Sequence, residues 1–271
     1  MGDRSFALGS ARVHVWEPDA TPRALVQLQH GFGEYAERYV HGYQRLIPRL
    51  LGLGFEVWAM DLEGHGHAPG RRGSVDVVRA VADHAALRGL MLERGSPVLL
   101  FGHSLGGLVS AASVLTAPQG VRGAVLTGPG FLPPAPPGVC LTAGLVASLF
   151  PHLPAPRPRA RRRRRTPGKR VNGDPMLFTG RASMRVAAGV LRTSERIWQD
   201  LDQWRTPCLV AHGTADTFTD HEQSVRFAQR SPSSDITLHL VEGGRHELLH
   251  EKAGDEVLEL VLAWLEEHSL D

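Results

Sequence analysis

Short apolar runs alternate along this chain with longer stretches in which apolar residues return every three or four positions. Residues 24–29 (ALVQLQ), 55–60 (FEVWAM), 98–101 (VLLF), 124–127 (AVLT), 207–211 (PCLVA) and 236–241 (ITLHLV) are of the first kind and predict buried strands. The second kind begins with the stretch from Tyr39 through Tyr43, Leu46, Ile47 and Leu50, which predicts one helix stopped by Gly52 and Gly54. Residues 75–92, the run Leu108 to Leu115, and a last segment from near Asp255 with Val257, Val261, Trp264 and Leu265 on one face predict three more. Strands alternating with helices predict βαβ units: an α/β fold with a mostly parallel central sheet and helices on both faces.

One region breaks the rhythm. Residues 131–200 fall between two of the strands, with apolar helical patterning at 139–150 and a second helical pattern around 181–198. The expected organisation is therefore a core built from 1–130 and 201–271, with 131–200 inserted. Positions 123–156 carry no Asp, Glu, Lys or Arg at all and hold eight of the 19 prolines. The apolar run 139–150 is too short to span a bilayer, which takes about 20 residues.

Charge sharpens this picture. The formal net charge is +2, but residues 157–170 (RPRARRRRRTPGKR) hold nine of the 30 basic residues and no acid. The remainder has 21 basic against 28 acidic residues, a net of −7, so the basic character is local. An uncharged stretch beside a basic one suits reversible contact with an anionic membrane surface, and a solvated loop is the plainer reading. The run has no aromatics on which bases would stack, which argues against nucleic acid. The first 16 residues lack the apolar core of a secretory signal. The two cysteines, Cys140 and Cys208, show neither disulfide nor metal spacing. A cytoplasmic protein, with peripheral membrane contact at most, is the expectation.

Candidate chemistry concentrates at Gly102-His103-Ser104-Leu105-Gly106-Gly107, a G-x-S-x-G turn between an apolar strand and a helix. That context places Ser104 as a nucleophile. A serine hydroxyl needs a base, and the base needs an orienting group. In the order Ser, acid, His, the acid follows a later strand and the histidine follows the last. Asp216 comes after strand 207–211 and His246 after strand 236–241. Asp200, Asp202 and Asp220 are competing acids, and His239 and His250 competing bases; loop position favours Asp216 and His246. Oxyanion donors are expected from the backbone N–H of Leu105 and from the Gly-rich loop His30-Gly31-Phe32-Gly33-Glu34, at Phe32.

Five segments together, HGFGEYAERY (30–39), DLEGHGHAPGRRG (61–73), GHSLGG (102–107), HGTADTFTD (212–220) and EGGRHELLHE (242–251), resemble the monoacylglycerol lipase or lysophospholipase-like group of serine α/β-hydrolases. The resemblance covers about 30–268. It implies an α/β-hydrolase fold with a helical cap at 131–200, no metal and no cofactor. It implies hydrolysis of single-chain lipid esters, monoacylglycerol to fatty acid and glycerol, with Ser104, Asp216 and His246 as triad and Phe32 and Leu105 as oxyanion donors. Lysophospholipase or broad carboxylesterase activity is the alternative within the class, and a silent hydrolase-like binding protein the alternative outside it. In the cap, Leu141, Leu145, Leu149 and Phe150 are the candidate lid or substrate residues. The chain departs from the group's pattern at Ala68, where a serine is usual, and in the cap, where only Asn172-Gly173-Asp174-Pro175 keeps an N-D-P-like end. Those departures bear on the substrate more than on the reaction.

Overall fold

The computed structural model describes residues 3–136, 138–156, 174–251 and 253–270. Eight strands form one sheet in the order β1-β2-β4-β3-β5-β6-β7-β8. They are β1 (Asp3–Leu8), β2 (Ala11–Trp16), β3 (Ala24–Gln29), β4 (Phe55–Asp61), β5 (Val98–His103), β6 (Val121–Thr127), β7 (Cys208–Gly213) and β8 (Ile236–Val241). β2 runs antiparallel to β1 and β4, and the remaining neighbours are parallel. The alternation of strand and helix thus gives the mostly parallel sheet its patterning implies, in the α/β-hydrolase arrangement the resemblance implies.

β3, β4 and β5 are buried along their whole length, as strands covered on both faces must be. The helices are α1 (Arg38–His41), α2 (Leu46–Gly52), α3 (Val77–Leu92), α4 (Leu105–Thr116), α5 (Val139–Leu149), α6 (Met184–Asp200), α7 (His221–Arg230) and α8 (Gly254–Ser269). One apolar layer gathers Val77 and Leu87 of α3, Leu108 of α4 and Phe227 of α7 under the sheet. The opposite layer gathers Tyr39, Leu46 and Ile47 with Val257, Val261 and Leu265 of α8. Two glutamines inside the sheet find partners for their amide N–H groups: Gln27 donates to the His84 carbonyl at 2.7 Å and Gln29 to that of Met60 at 3.0 Å.

Two elements differ from the sequence reading. The single helix expected from Tyr39 is interrupted: Tyr43, Gln44 and Arg45 have φ of 51°, 54° and 57°. Its apolar positions still face inward, but the Tyr43 N–H donates to His250 Nε2 at 2.7 Å instead of to the preceding turn. Two elements also form where no periodicity announced them. The hairpin β1–β2 lies at the sheet edge, where solvent-facing polar residues dilute the apolar signal. α7 is mostly polar, held by Phe227 and capped by Asp220, whose Oδ1 accepts from the Glu222 N–H.

Between β6 and β7 the described chain holds α5 and α6, a helical insertion. α6 packs on α3 and α4 and buries Val186, Ile197 and Trp198. α5 lies against α6 and buries no residue of its own. The Arg-rich run 157–170 lies outside the described residues.

α4, which carries the candidate nucleophile at its start, is closed at its far end by a buried cation. Arg88, 1% exposed, donates to the carbonyls of Ser113 (2.9 Å) and Ala117 (2.6 Å) and to Ser113 Oγ (3.0 Å). Burial brings its pKa down to about 10. A cation there complements the helix dipole. Arg88→Met keeps the stem but leaves the Ala117 carbonyl without this donor. It is expected to destabilise the protein by about 2 kcal/mol, read as a lower urea midpoint at unchanged slope.

Candidate active site

The segment after β5 folds as a tight elbow because its glycines admit neighbouring backbone. A Cβ on Gly106 would sit 2.1 Å from the Gln29 carbonyl oxygen, and one on Gly102 2.7 Å from that of Gly106. Ser104 at the apex has φ 54° and ψ −116°, a backbone conformation costly for any residue with a Cβ. The turn lifts its side chain to the rim, half-buried, at the carboxyl ends of the strands.

Three side chains from three strand ends form a line there. His246 Nε2 lies 2.8 Å from Ser104 Oγ, and His246 Nδ1 lies 2.6 Å from Asp216 Oδ2. The Asp216 side chain is wholly buried and takes more than this one bond. Its Oδ1 accepts from the N–H groups of Phe218 (2.6 Å) and Thr219 (3.2 Å), and its Oδ2 also accepts from Thr219 Oγ1 (2.7 Å). His212 Nε2 is 3.2 Å from the same Oδ2, and its Nδ1 meets Ser224 Oγ at 2.7 Å. Burial by itself would raise the Asp216 carboxyl. The hydrogen bonds from His212, His246 and Thr219 outweigh it and hold that carboxyl well below the usual carboxylate range. A charged Asp216 requires His246 to carry its proton on Nδ1, which leaves Nε2 free to accept from Ser104.

Three of the five competing residues are engaged elsewhere. Asp220 caps α7, Asp200 pairs with Arg196, and His250 accepts from Tyr43. Neither His212 nor Thr219 stood out in the sequence. His212 lies at the end of an apolar strand, where fourteen histidines in the chain gave no reason to choose it.

The loop 30–34 reaches Ser104 directly: a Cβ on Gly31 would fall 3.2 Å from Ser104 Cβ. His30 Nε2 accepts from the Leu62 N–H (3.1 Å), so its proton is on Nδ1, which donates to the Gly31 carbonyl at 2.7 Å. In a trans peptide this sets the Phe32 N–H on the side away from His30. Buried Glu34 accepts from the Gly31 N–H at 3.1 Å. Leu105 opens α4, so its N–H is one of the first-turn donors the helix cannot use itself. Leu141, Leu145, Leu149 and Phe150, by contrast, stand in solvent, 79, 60, 65 and 61% exposed. Among the described residues no group of three or more His, Cys, Asp or Glu side chains could hold a metal ion, and no helix is long and apolar enough to cross a membrane.

Two histidines that flank this site are buried and neutral. Burial pushes His65 and His103 down to about 4. His84, beneath α4, is lowered further by burial and Arg88. An unfolded histidine titrates near 6.5, so between pH 6.5 and 4 the unfolded chain binds protons that the native one refuses. Stability is full above that window and falls as the pH drops through it, by about 1.4 kcal/mol per pH unit for each such histidine. Urea unfolding at pH 7, 6 and 5 should show a midpoint that declines before the carboxylates begin to titrate. A midpoint constant from pH 7 to 5 would contradict it.

Residues 20–253 match the family model described as "Serine aminopeptidase, S33". The chain is 30% identical to a monoacylglycerol lipase of Mycolicibacterium smegmatis, covering 98% of this chain and 97% of that protein. It is 30% identical to the monoglyceride lipase of Homo sapiens, over 88% of this chain and 79% of the other. Among solved structures, the monoacylglycerol lipase of Paleococcus ferrophilus superposes with a TM-score of 0.79 at 30% identity, covering 94% of this chain and 99% of that one.

Proposed function

Since the chain belongs to the serine aminopeptidase S33 family of α/β-hydrolases, in its monoacylglycerol lipase and lysophospholipase-like branch, we propose that it hydrolyses single-chain lipid esters, monoacylglycerols foremost, through an acyl-enzyme on Ser104. The observation that carries this reading is the unbroken line from Asp216 through His246 to Ser104.

In this mechanism His246 Nε2 takes the Ser104 proton as Oγ attacks the ester carbonyl. Asp216 keeps the imidazole in the right tautomer and stabilises the imidazolium. The N–H groups of Phe32 and Leu105 receive the developing oxyanion, each worth about 10²–10³ in rate. His246 then returns the proton to the departing glycerol oxygen. Water, deprotonated by the same nitrogen, releases the fatty acid and restores Ser104. The likeness to the monoacylglycerol lipases named above supports the choice of substrate.

The exposed apolar residues of α5 and the basic run 157–170 together suit docking on an anionic lipid surface, from which a single-chain ester would be drawn. Salt-sensitive binding to anionic vesicles, lost when 159–165 is neutralised, tests this contact.

Treatment with a fluorophosphonate followed by peptide mapping tests the catalytic reading. Phosphonylation at Ser104 is the expected result, and an unlabelled wild-type protein would overturn it. A panel of monoacylglycerols of varied chain length, lysophospholipids and short p-nitrophenyl esters then ranks the substrates. The highest kcat/KM on a monoacylglycerol is expected, and preference for a lysophospholipid would move the proposal to the neighbouring activity.

A further inference from the structure

Three glycines from three separate segments close on one residue, two of them on its ring and one on its backbone. A Cβ on Gly73 would lie 2.4 Å from Cε1 and Cζ of Phe178, and a Cβ on Gly180 would lie 2.4 Å from Cζ. A Cβ on Gly33 would lie 2.4 Å from the Phe178 carbonyl oxygen. Gly33 belongs to the loop beside the nucleophile, Gly73 to the loop that follows β4, and Phe178 with Gly180 to the insertion between β6 and β7. The absent side chains leave a slot, and the Phe178 ring fills it.

Phe178 is also tied to the loop at 30–34 by its backbone. Its N–H donates to the Gly33 carbonyl at 2.8 Å. Its ring meets that of Phe32 edge-on, with centroids 5.8 Å apart and planes at 88°. The Phe32 ring also meets that of His65, with centroids 5.3 Å apart. On either side of Phe178 the insertion is stitched to the core. The Tyr35 hydroxyl donates to Asp174 Oδ2 at 2.8 Å, Arg72 donates to the Met176 carbonyl at 2.9 Å, and the Ser183 N–H to the Gly73 carbonyl at 3.0 Å.

We propose that Phe178 is a positioning residue for the oxyanion donor at Phe32, so that the insertion, and not the core alone, sets the loop that receives the charge of the tetrahedral intermediate. This rests on the reading of Ser104 as nucleophile. The restraint is two-sided. On the N-terminal side of Phe32, His30 and Glu34 fix the Gly31 peptide group from within the core. On its C-terminal side, the Gly33 carbonyl is fixed by the Phe178 N–H, and the Phe32 ring touches both His65 and Phe178. The Phe178 ring carries no polar atom and acts through place alone. Without the ring, Phe32 loses its contact on the insertion side and Gly33 keeps only a backbone bond to a segment that no longer fills its slot. A displacement of about 1 Å in a catalytic donor costs up to about 10²-fold in rate.

The test uses p-nitrophenyl acetate, whose acyl group is too short to depend on an acyl-binding lid. Phe178→Ala is expected to lower kcat by about tenfold or more with KM within about twofold of wild type, short of the full loss of an oxyanion donor. Affinity for a short trifluoromethyl ketone, which places an oxyanion in the same hole, should fall by the same factor. Phe178→Leu should recover most of both. Gly180→Ala keeps Phe178 but drives its ring from the slot, and should reproduce the loss even if Phe178→Ala does not fold. The double variant should lose no more than either single one. Unchanged kcat on the acetate with a raised KM for a long-chain ester would make Phe178 a wall of the acyl site and overturn the proposal. So would a lowered melting temperature with undiminished affinity for the ketone. Failure of the underlying reading shows separately, as a wild-type protein that a fluorophosphonate does not label at Ser104, and it would take this proposal with it.

Discussion

Ser104→Ala is expected to lower ester turnover by about a million-fold while leaving the protein folded. Ser104 Oγ is the group set against His246 Nε2, and water in the place of Oγ lacks the covalent route that divides the reaction in two. The elbow adds a stability signature. At φ 54° and ψ −116° any Cβ is strained, so alanine inherits the cost and glycine relieves it. Ser104→Gly should therefore be as inactive as Ser104→Ala yet more stable by about 1 kcal/mol. Steady-state kinetics with thermal melts of the three proteins check both halves. Residual activity above about one part in a hundred would point to a different nucleophile.

Asp216→Asn is the second large effect, about four orders of magnitude in kcat at nearly unchanged KM. The geometry says how it arises. Every partner of this carboxylate is a donor or stands as one: the Phe218 and Thr219 N–H groups on Oδ1, and His246, His212 and Thr219 Oγ1 on Oδ2. An amide nitrogen at Oδ1 would confront two backbone N–H groups that cannot turn away. The asparagine therefore keeps its oxygen there and turns its nitrogen toward His246. That nitrogen needs an acceptor, so His246 moves its proton to Nε2 and can no longer accept from Ser104. Raising the pH does not repair this, because the fault is which ring nitrogen holds the proton, and that is fixed by the asparagine's N–H. The loss should be as large at pH 9 as at pH 7 in a kcat profile. Recovery of most of the activity at pH 9 would show that Asp216 acts chiefly by charge.

The strands were legible because their apolar runs are short, dense and ended by turn residues, and β3 and β8 begin and end where the pattern places them. The line from Ser104 to Asp216 was legible because chain order and strand ends leave few choices once the elbow is found. What escaped depends on contacts between distant segments. The left-handed stretch at Tyr43–Arg45 is set by a hydrogen bond to His250, 207 residues away, and periodicity sees only that Tyr43 faces inward. His212 is an inward residue of a strand and becomes an electrostatic partner only because the Asp216 loop folds back over it. Gly73 and Gly180 look like ordinary loop glycines until Phe178 is seen between them. The exposed face of α5 was open to either reading, since an uncharged stretch states that a surface is apolar without saying whether it is covered.

β8 forms the last strand of the sheet, pairs with β7 alone and is half-buried, and the loop that follows it delivers His246. Ser104, 142 residues earlier, sits at the end of fully buried β5. Under the proposed mechanism the base therefore hangs on the sheet's border while Ser104 belongs to its interior, and the two need not fail together. Border strands detach in local openings that cost less than global unfolding. A molecule can thus be folded by every measure of its core and yet be switched off, with Ser104 in place and its base withdrawn. In a rising urea series, hydrolysis should fade ahead of tryptophan fluorescence. On refolding it should return last, so that enzymatic rate gauges the final closure of the sheet where spectroscopy gauges only its bulk.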